Sequence, residues 1–232
     1  MEQKALEYLI TDPLLHMDML EAVRHREADI LYARRDGVLI FHRECGAYML
    51  SADSEESAGR IAARITHGEN IVLHQRFLIG ELSRRLSLPH AMPCHQAAWM
   101  KETPVPGPES EAEIRPLGME DLPSVLEHYA IIQDESYISS RIRAGMLGIY
   151  KGGALAGFIG THPEGSIGML EIFPGYRRHG LAFLLESEMI RRRQAQGRVP
   201  FAQIQEGNAA SVALHVKLGM EVTGGASVTW LF

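Results

Sequence analysis

Apolar and polar positions in the first half of the chain recur with two periods: a period of two, which predicts strands, and a period near 3.6, which predicts amphipathic helices. Asp36-Gly37 lies between the first two predicted strands and indicates a hairpin turn. Acidic residues directly after Ser54 indicate the start of a helix. In chain order the predicted elements are helix 6–26, strands 28–33, 38–41 and 47–50, helix 54–65, strand 70–74, helix 77–86 and a tail around 94–100.

The second half follows a similar order. Its predicted elements are strand 114–117, helices from 119 and over 138–144, strands 146–150, 154–161 and 167–173, helix 181–196, strand 200–205, helix 209–218 and a strand near 228–232. Both halves therefore contain a hairpin, a strand, a helix, a strand and a helix. This parallel predicts an internal duplication.

The boundary between the halves is marked by proline. Pro104, Pro106 and Pro108 alternate with other residues, remove backbone donors and favour an extended linker. We therefore predict a first domain over residues 1–102, a linker over 103–112 and a second domain over 113–232.

Composition narrows the function classes. A chain of 232 residues with 46% hydrophobic residues can bury about 70% of its unfolded surface, enough for one large domain or two small ones. The formal net charge is −6, and neither half has the basic excess of a nucleic-acid binder. From Glu171 onward, however, basic residues outnumber acidic ones. This local positive field suits a small anionic ligand better than a polyanion.

The two cysteines, Cys45 and Cys94, form neither a zinc cluster nor a redox motif by their spacing. The first residues lack the apolar core of a signal peptide, and no stretch reaches the roughly 18 apolar residues of a membrane span. The expectation is a cytoplasmic protein that needs no metal and contacts no membrane.

The segment 171–186 carries the clearest chemistry. A hydrophobic strand leads through a short loop into a helix, and the spacing Arg177-x-x-Gly180-x-Ala182 puts small residues where that helix begins. Backbone N–H groups at such a helix start are unobstructed and lie at the positive end of the dipole, which favours a pyrophosphate. The loop lacks the Lys-Ser/Thr of a P-loop and the three glycines of a dinucleotide fold.

A second motif follows, and together the two resemble the GNAT superfamily of acyl-CoA-dependent N-acyltransferases. The family pattern Pro-x-Tyr-Arg-x-x-Gly-x-Gly/Ala is present as Pro174-Gly-Tyr-Arg-Arg-His-Gly-Leu-Ala182. The pattern Asn-x-x-Ser-x-x-x-Tyr-x-x-x-Gly-Phe is present as Asn208-Ala-Ala-Ser-Val-Ala-Leu-His-Val-Lys-Leu-Gly-Met220. The resemblance covers residues 113–232, and the ending Val228-Thr-Trp-Leu-Phe232 is similar to the glycine N-acyltransferase branch. The first half resembles a degenerate GNAT-like copy without the loop motif.

The resemblance implies an α/β (α+β) GNAT fold, a mixed central sheet flanked by helices, with two GNAT-like halves in tandem. It also implies acetyl-CoA as co-substrate. Ile172 and Phe173 would lie along the pantetheine and offer a backbone N–H to the thioester carbonyl. Asn208 and Ser211 would bind the pantetheine arm or organise the following helix. The residues implied to hold the pyrophosphate are Arg178, His179, Gly180, Leu181 and Ala182, with Arg177 as an added positive charge.

The resemblance leaves the proton-transfer residues open. His215 stands where the family usually carries a Tyr that protonates the departing thiolate; it could do the same, or it could be a packed side chain without a chemical task. The acceptor ammonium must lose a proton before attack, and Glu171 is the first candidate base. An ion pair between Glu171 and a nearby arginine is the alternative to that role. His162 and Glu206 are weaker candidates, and a water-mediated route is open.

The resulting hypothesis is an N-acetyltransferase acting on a small-molecule amine, an amino acid or a related compound, by direct attack in a ternary complex. Transfer to a protein amino group is the enzymatic alternative. A non-catalytic acyl-CoA-binding sensor is a second alternative, and a scaffold that forms a homodimer through its first half is a third. Nucleic acid is not an expected partner.

Overall fold

The computed structural model describes residues 1–101, 103, 105 and 112–232 of the chain. Most of the predicted linker 103–112 therefore lies outside the described residues. The helices are α1 Glu2–Leu9, α2 Met17–Arg24, α3 Glu55–Ala62, α4 Ile79–Leu86, α5 Leu122–His128, α6 Glu135–Arg143, α7 Leu181–Ala195 and α8 Ala209–Leu218. The strands are β1 Ala28–Arg34, β2 Gly37–His42, β3 Ala47–Ala52, β4 Asn70–Leu73, β5 Ala91–Ala98, β6 Glu113–Pro116, β7 Leu147–Lys151, β8 Ala154–Thr161, β9 Ile167–Ile172, β10 Phe201–Gln205, β11 Glu221–Val222 and β12 Val228–Leu231.

Contacts divide the chain into two compact units. One unit contains Met1–Met100 and Gln203–Phe232, and the other contains Lys101–Ala202. This grouping differs from the sequence division, because residues 203–232 pack with the first hundred residues. The sequence domains 1–102 and 113–232, and the internal duplication, stay predictions.

The first unit is built on a mixed sheet in the order β1-β2-β3-β4-β12-β5-β10, with β11 pairing β5. Strands β3 and β4 are parallel, whereas β12 is antiparallel to both of its neighbours, β4 and β5. Alternate residues face opposite sides of the sheet: Met49 and Val72 pack with residues of α1 and α2, and Leu50 packs with residues of α3 and α4. The last strand of the chain therefore lies in the middle of this sheet.

Two predictions for the first half are wrong. The predicted helix 6–26 is two helices, α1 and α2, because the chain turns between them. At that turn the hydroxyl of Thr11 donates to the Tyr8 carbonyl, and Asp12 Oδ1 accepts from the Leu15 N–H, close to Pro13. The predicted tail around 94–100 is strand β5, which hydrogen bonds to β12. The hairpin at Asp36-Gly37 and the helix beginning after Ser54 are confirmed.

The second unit contains a sheet in the order β6-β7-β8-β9, with antiparallel neighbours. Helices α5 and α6 cover one face, where Val125 and Ile138 pack with Phe158 and Phe173. Helix α7 contacts β7, β8 and β9. Its residues Leu181 and Leu185 are buried. The predicted strand 167–173 and helix 181–196 are confirmed as β9 and α7. Within the described residues, no helix is both long and apolar enough to cross a membrane.

Candidate functional site

The loop from β9 to α7 takes an unusual backbone path. Pro174–Tyr176 forms a single 3-10 turn, after which Arg178 has φ +65° and Gly180 has φ +77°, both in the left-handed region. No atom lies within 4 Å of the position that a Cβ on Gly180 would occupy, so the residue is needed for its backbone conformation and not for lack of space. The two left-handed residues turn the chain sharply into a 15-residue helix.

Successive backbone amides at this turn are without protein acceptors. Arg177 N–H donates to the Pro174 carbonyl, and Leu184 N–H donates to the Gly180 carbonyl. Between them, in the described structure, no backbone carbonyl accepts from the amides of Arg178, His179, Gly180, Leu181 and Ala182. Consecutive free N–H groups at a helix N-terminus bind anions. These are the five residues that the sequence predicted for the pyrophosphate.

Arg177 does more than add positive charge. Its Nε donates to the Ile172 carbonyl at 2.8 Å, and its Nη2 lies 2.8 Å from Glu171 Oε1. The guanidinium therefore ties the loop back to the end of β9, and Glu171 neutralises it. Arg178 is exposed beside the free amides and supplies the positive charge there. The alternative interpretation of Glu171, an ion pair with a nearby arginine, is the arrangement that the structure shows.

The end of β9 presents one amide outward. Phe173 N–H donates to the Ala156 carbonyl at 2.9 Å, so it is not available to a thioester. Gly157 and Ile172 lie directly opposite each other. Because the hydrogen bond from Phe173 to Ala156 joins the residues next to them, Gly157 and Ile172 are a non-hydrogen-bonded pair. The N–H and C=O of Ile172 therefore point away from β8. The Arg177 contact to the Ile172 carbonyl agrees with this direction. Of the two residues predicted to offer an N–H to the thioester carbonyl, Phe173 is already engaged, and Ile172 stays the candidate.

A bulge in β9, absent from the sequence predictions, lies just before this amide. Gly160 pairs with Gly168 and Phe158 pairs with Glu171, so two residues of β9 oppose one of β8. One of those two, Met169, has φ +54°. A glycine inside a strand is the sequence signal that could have indicated the bulge. Bulges redirect neighbouring side chains and backbone groups. This bulge therefore influences the direction of the groups at the end of β9.

Two of the predicted bases lie on the same face of this sheet. Phe158 packs with residues of α5 and α6, and its antiparallel partner Glu171 projects to the same face. Gly160 lies two residues after Phe158 on β8 and therefore faces the same side, and its partner Gly168 shares that face. A Cβ on Gly168 would lie 2.5 Å from Nε2 of His162, so the imidazole covers this glycine. We call this side of the sheet the α6 face.

His162 is held by a tyrosine. Its Nδ1 lies 2.6 Å from the hydroxyl oxygen of Tyr137 on α6, and both side chains are half-buried. The ring of Tyr137 lies near the guanidinium of Arg141, 5.9 Å from ring centroid to carbon. The sequence predictions included His162 but missed Tyr137, which no motif marks.

The Asn208 motif belongs to the first unit. Asn208 Oδ1 accepts from the Ser211 N–H at 3.1 Å and caps α8, so it organises the helix as predicted. His215 is buried, and its Nδ1 lies 2.8 Å from the Ser211 carbonyl oxygen. Because a carbonyl only accepts, Nδ1 carries a proton and Nε2 of the neutral ring is an acceptor. His215 must therefore be an imidazolium to protonate a thiolate.

The last predicted base, Glu206, is exposed and forms a surface ion pair. Its Oε1 lies 3.7 Å from Nη2 of Arg76. In the described part of the chain, no group of three or more His, Cys, Asp or Glu side chains is arranged to hold a metal ion.

The first unit has a strand followed by a helix, β3 and α3, without an anion site at the helix start. Ser54 Oγ accepts from the Ser57 N–H at 3.2 Å, and Glu55 and Glu56 occupy the first turn. A hydroxyl cap and two carboxylates disfavour a phosphate there. This supports the interpretation of the first half as a degenerate copy.

Known proteins are similar to this chain in part of its sequence and in its fold. A family described as "FR47-like protein" matches residues 146–231. A Drosophila protein of known crystal structure is similar across 99% of this chain and 94% of its own, with a TM-score of 0.70 and 18% identity. A putative acetyltransferase of the GNAT family from Novosphingobium aromaticivorans covers 94% of this chain and 95% of its own, with a TM-score of 0.57 and 19% identity. The family match covers the C-terminal part of the chain, and the likeness to solved structures shows that the chain has the GNAT fold.

Curated proteins with named activities are also similar to this chain. L-methionine sulfoximine/L-methionine sulfone acetyltransferases from Pseudomonas aeruginosa and Pseudomonas paraeruginosa are each 29% identical to it over 141 residues. The alignment covers 49% of this chain and 82% of each relative. The predicted α/β GNAT fold is confirmed, and both solved structures extend the likeness over nearly the whole chain.

Proposed function

We propose that this protein transfers an acetyl group from acetyl-CoA to the amine of a small molecule, an amino acid or a related compound. The observation that carries the proposal is the row of free amides from Arg178 to Ala182 at the start of α7. This row fits the pyrophosphate of acetyl-CoA. The outward N–H of Ile172 lies at the end of the strand that leads into this loop, where it would polarise the thioester carbonyl.

Acetyl-CoA supplies an acetyl group that is already activated as a thioester. The acceptor's neutral amine attacks the carbonyl directly in a ternary complex, and the Ile172 N–H stabilises the negative charge that develops on oxygen. Arg177 fixes this geometry because it joins the loop to the Ile172 carbonyl. The thiolate takes its proton from water or from His215 in its imidazolium form.

Two observations support a small acceptor. The curated relatives are named for the acetylation of methionine sulfoximine and methionine sulfone, which are small amino acids. The chain carries a formal net charge of −6, with no strongly basic half that would favour a polyanionic partner. A protein amino group is the competing acceptor, and a lysine-containing peptide tests it.

An acyl-CoA-binding sensor without catalysis is the second candidate. The arrangement of His215 favours it, because the usual tyrosine hydroxyl is replaced by a buried ring whose Nδ1 proton is donated to Ser211. The ion pair between Glu171 and Arg177 favours it as well, since the first predicted base is already engaged.

Thermal shift with acetyl-CoA, followed by thiol release over an amine panel, separates these functions. The panel contains L-methionine sulfone, L-methionine sulfoximine, the common amino acids, simple alkyl amines and a lysine-containing peptide. We expect stabilisation by acetyl-CoA and thiol release with one or more small amines. Stabilisation without release on any amine would establish the sensor, release with the peptide alone would establish the protein acceptor, and no stabilisation would refute all three.

A further inference from the structure

We propose that Tyr137 and His162 together remove the proton from the acceptor's ammonium group. The inference rests on the acetyltransferase function proposed above and assigns a role to a tyrosine that no motif indicates. The pair is joined by a 2.6 Å contact between the Tyr137 hydroxyl and His162 Nδ1. It lies on the α6 face, which also carries Glu171 at the end of β9.

The position of the imidazole is built into the fold. His162 comes directly after β8, and its Nε2 occupies the space that a side chain on Gly168 would fill, 2.5 Å from the Cβ position. Any residue other than glycine would push the ring out of place. Gly168 and Glu171 lie on either side of the two bulge residues, so the ring covers the same strand that presents the Ile172 amide, four residues before it.

The other predicted base on this face, Glu171, is less available to take a proton. Glu171 Oε1 is 2.8 Å from Arg177 Nη2, and Arg177 also holds the Ile172 carbonyl. Taking a proton on Glu171 would weaken the ion pair that fixes the loop. Both side chains of the Tyr137–His162 pair are half-buried, within reach of solvent.

Charged groups surround the pair from several elements. Arg141 of α6 lies over the ring of Tyr137 at 5.9 Å. Glu164 on the turn after β8 is buried and accepts from the Ser166 hydroxyl. Arg193 of α7 contacts the Gly165 carbonyl on the same turn at 3.5 Å, and Glu171 lies on β9. These are the charged groups that the neighbouring elements place around the pair.

The proton balance is simple. The ammonium proton passes to Tyr137 Oη while the tyrosine's own proton passes to His162 Nδ1, which becomes an imidazolium. The neutral nitrogen then forms a bond to the thioester carbon, the carbon–sulfur bond breaks, and the thiolate takes a proton from water. His162 returns its proton to solvent, and Tyr137 is unchanged at the end of the turnover.

The test compares two amines in the full-length protein. One is the best substrate of the panel, and the other is a fluorinated analogue that is largely neutral at the assay pH and needs no base. For Tyr137→Phe and His162→Gln we expect kcat/KM to fall by about 10²-fold or more with the first amine. With the neutral analogue we expect less than about a tenfold loss, and we expect KM for acetyl-CoA to be unchanged.

Tyr150→Phe is the matched control, since Tyr150 is a buried phenol on β7 of the same sheet. It should leave both rates and the pH profile as they are. Equal losses on both amines, or an unshifted pH–rate profile in both Tyr137→Phe and His162→Gln, would overturn the proposal while leaving the acetyltransferase function intact. A wild-type protein that releases no thiol with any amine would overturn both.

Discussion

Asp18 and His74 form an ion pair in which neither side chain has exposed surface, with Oδ1 and Nε2 2.8 Å apart. The other ring nitrogen, Nδ1, lies 3.1 Å from the Leu50 carbonyl. Since both ring nitrogens face acceptors, His74 is an imidazolium and Asp18 is ionised. Burial opposes both charges, but mutual attraction outweighs it, so the pKa of His74 is raised and that of Asp18 is lowered.

This pair joins segments that are distant along the chain. Asp18 Oδ2 also accepts from Nε2 of Gln203 on β10 at 3.0 Å. Gln203 Oε1 in turn accepts from the indole N–H of Trp230 on β12 at 2.5 Å. The network therefore connects α2 and the end of β4 to two strands from the second half of the sequence. It fixes β10, which leads into the Asn208 cap.

Replacing Asp18 with asparagine should strongly destabilise the first unit. Asp18→Asn leaves the His74 charge buried without its partner, and we expect the free energy of unfolding to fall by about 3–5 kcal/mol in urea titrations. Asp29→Asn is the control, because Asp29 pairs with Arg43 on the surface with both side chains about half exposed. The control should cost less than about 1 kcal/mol. A similar, small cost in both variants would contradict the charge assignment.

Acidification should destabilise the protein through His16. Burial, followed by the charge of His74, lowers the pKa of His16 to about 4. An unfolded histidine has a pKa near 6.5, so between about pH 6.5 and 4 the unfolded state binds one more proton and stability falls as pH falls. The free energy of unfolding should fall by on the order of 3 kcal/mol across this window, because one pKa unit corresponds to about 1.4 kcal/mol.

The neighbouring pair does not interfere in that pH window. Because its pKa is raised, His74 contributes its full stabilisation at any pH below about 6.5. Because its pKa is lowered, Asp18 contributes its full stabilisation at any pH above about 4. Both contributions are therefore constant between these limits. His16→Gln should therefore flatten the pH dependence of urea unfolding between these limits. The exposed His90 provides the control, and His90→Gln should retain the slope. An unchanged slope in His16→Gln would refute the assignment.

Local signals explain which features the sequence predicted correctly. Asp36-Gly37 closes a hairpin through its own backbone, and the spacing from Arg177 to Ala182 describes a loop whose amides are free. These features depend on a few consecutive residues. The prediction at 94–100 was wrong because strand β5 is defined by its partner β12, more than a hundred residues away in the sequence.

The contacts around the β9–α7 loop were harder to predict than the strand and helix that flank it. The sequence predicted β9 and α7, but it could not show that the Phe173 amide is occupied by Ala156 or that Arg177 is tied to Glu171. Strand register and side-chain direction decide both. Tyr137 was missed for the same reason, since only the packing of α6 brings it to His162.

Gly180 and Gly197 offer a matched pair of variants. Both have left-handed backbones, with φ +77° and +72°, and no atom lies within 4 Å of either Cβ position. Alanine at either site should cost about 1–2 kcal/mol of stability because of backbone strain. Only Gly180→Ala should weaken acetyl-CoA binding in calorimetry, by tenfold or more, because it distorts the free amides. Equal affinities in the two variants would place the pyrophosphate elsewhere.

Glu171→Gln distinguishes a structural carboxylate from a base. If Glu171 serves to hold Arg177, the amide oxygen of glutamine can still accept from the guanidinium, and kcat/KM should fall by less than about tenfold with an unshifted pH profile. Arg177→Leu should then raise KM for acetyl-CoA, since the tether to the Ile172 carbonyl is lost. A loss of about 10²-fold or more in Glu171→Gln, with a shifted profile, would restore Glu171 as the base.

Acetyl-CoA should bind with a stoichiometry of one per chain, although the sequence predicts two GNAT-like halves. In the first unit, Gln75 occupies the end of β3: its Oε1 accepts from the Ala52 N–H and its Nε2 donates to Ser51 Oγ, each at 2.8 Å. The amide that could meet a thioester carbonyl there is already engaged. Glu55 and Glu56 repel a phosphate at the following helix. Isothermal titration should give one site in the wild type and in Gln75→Ala, whereas two sites in either would show that the first half still binds the co-substrate.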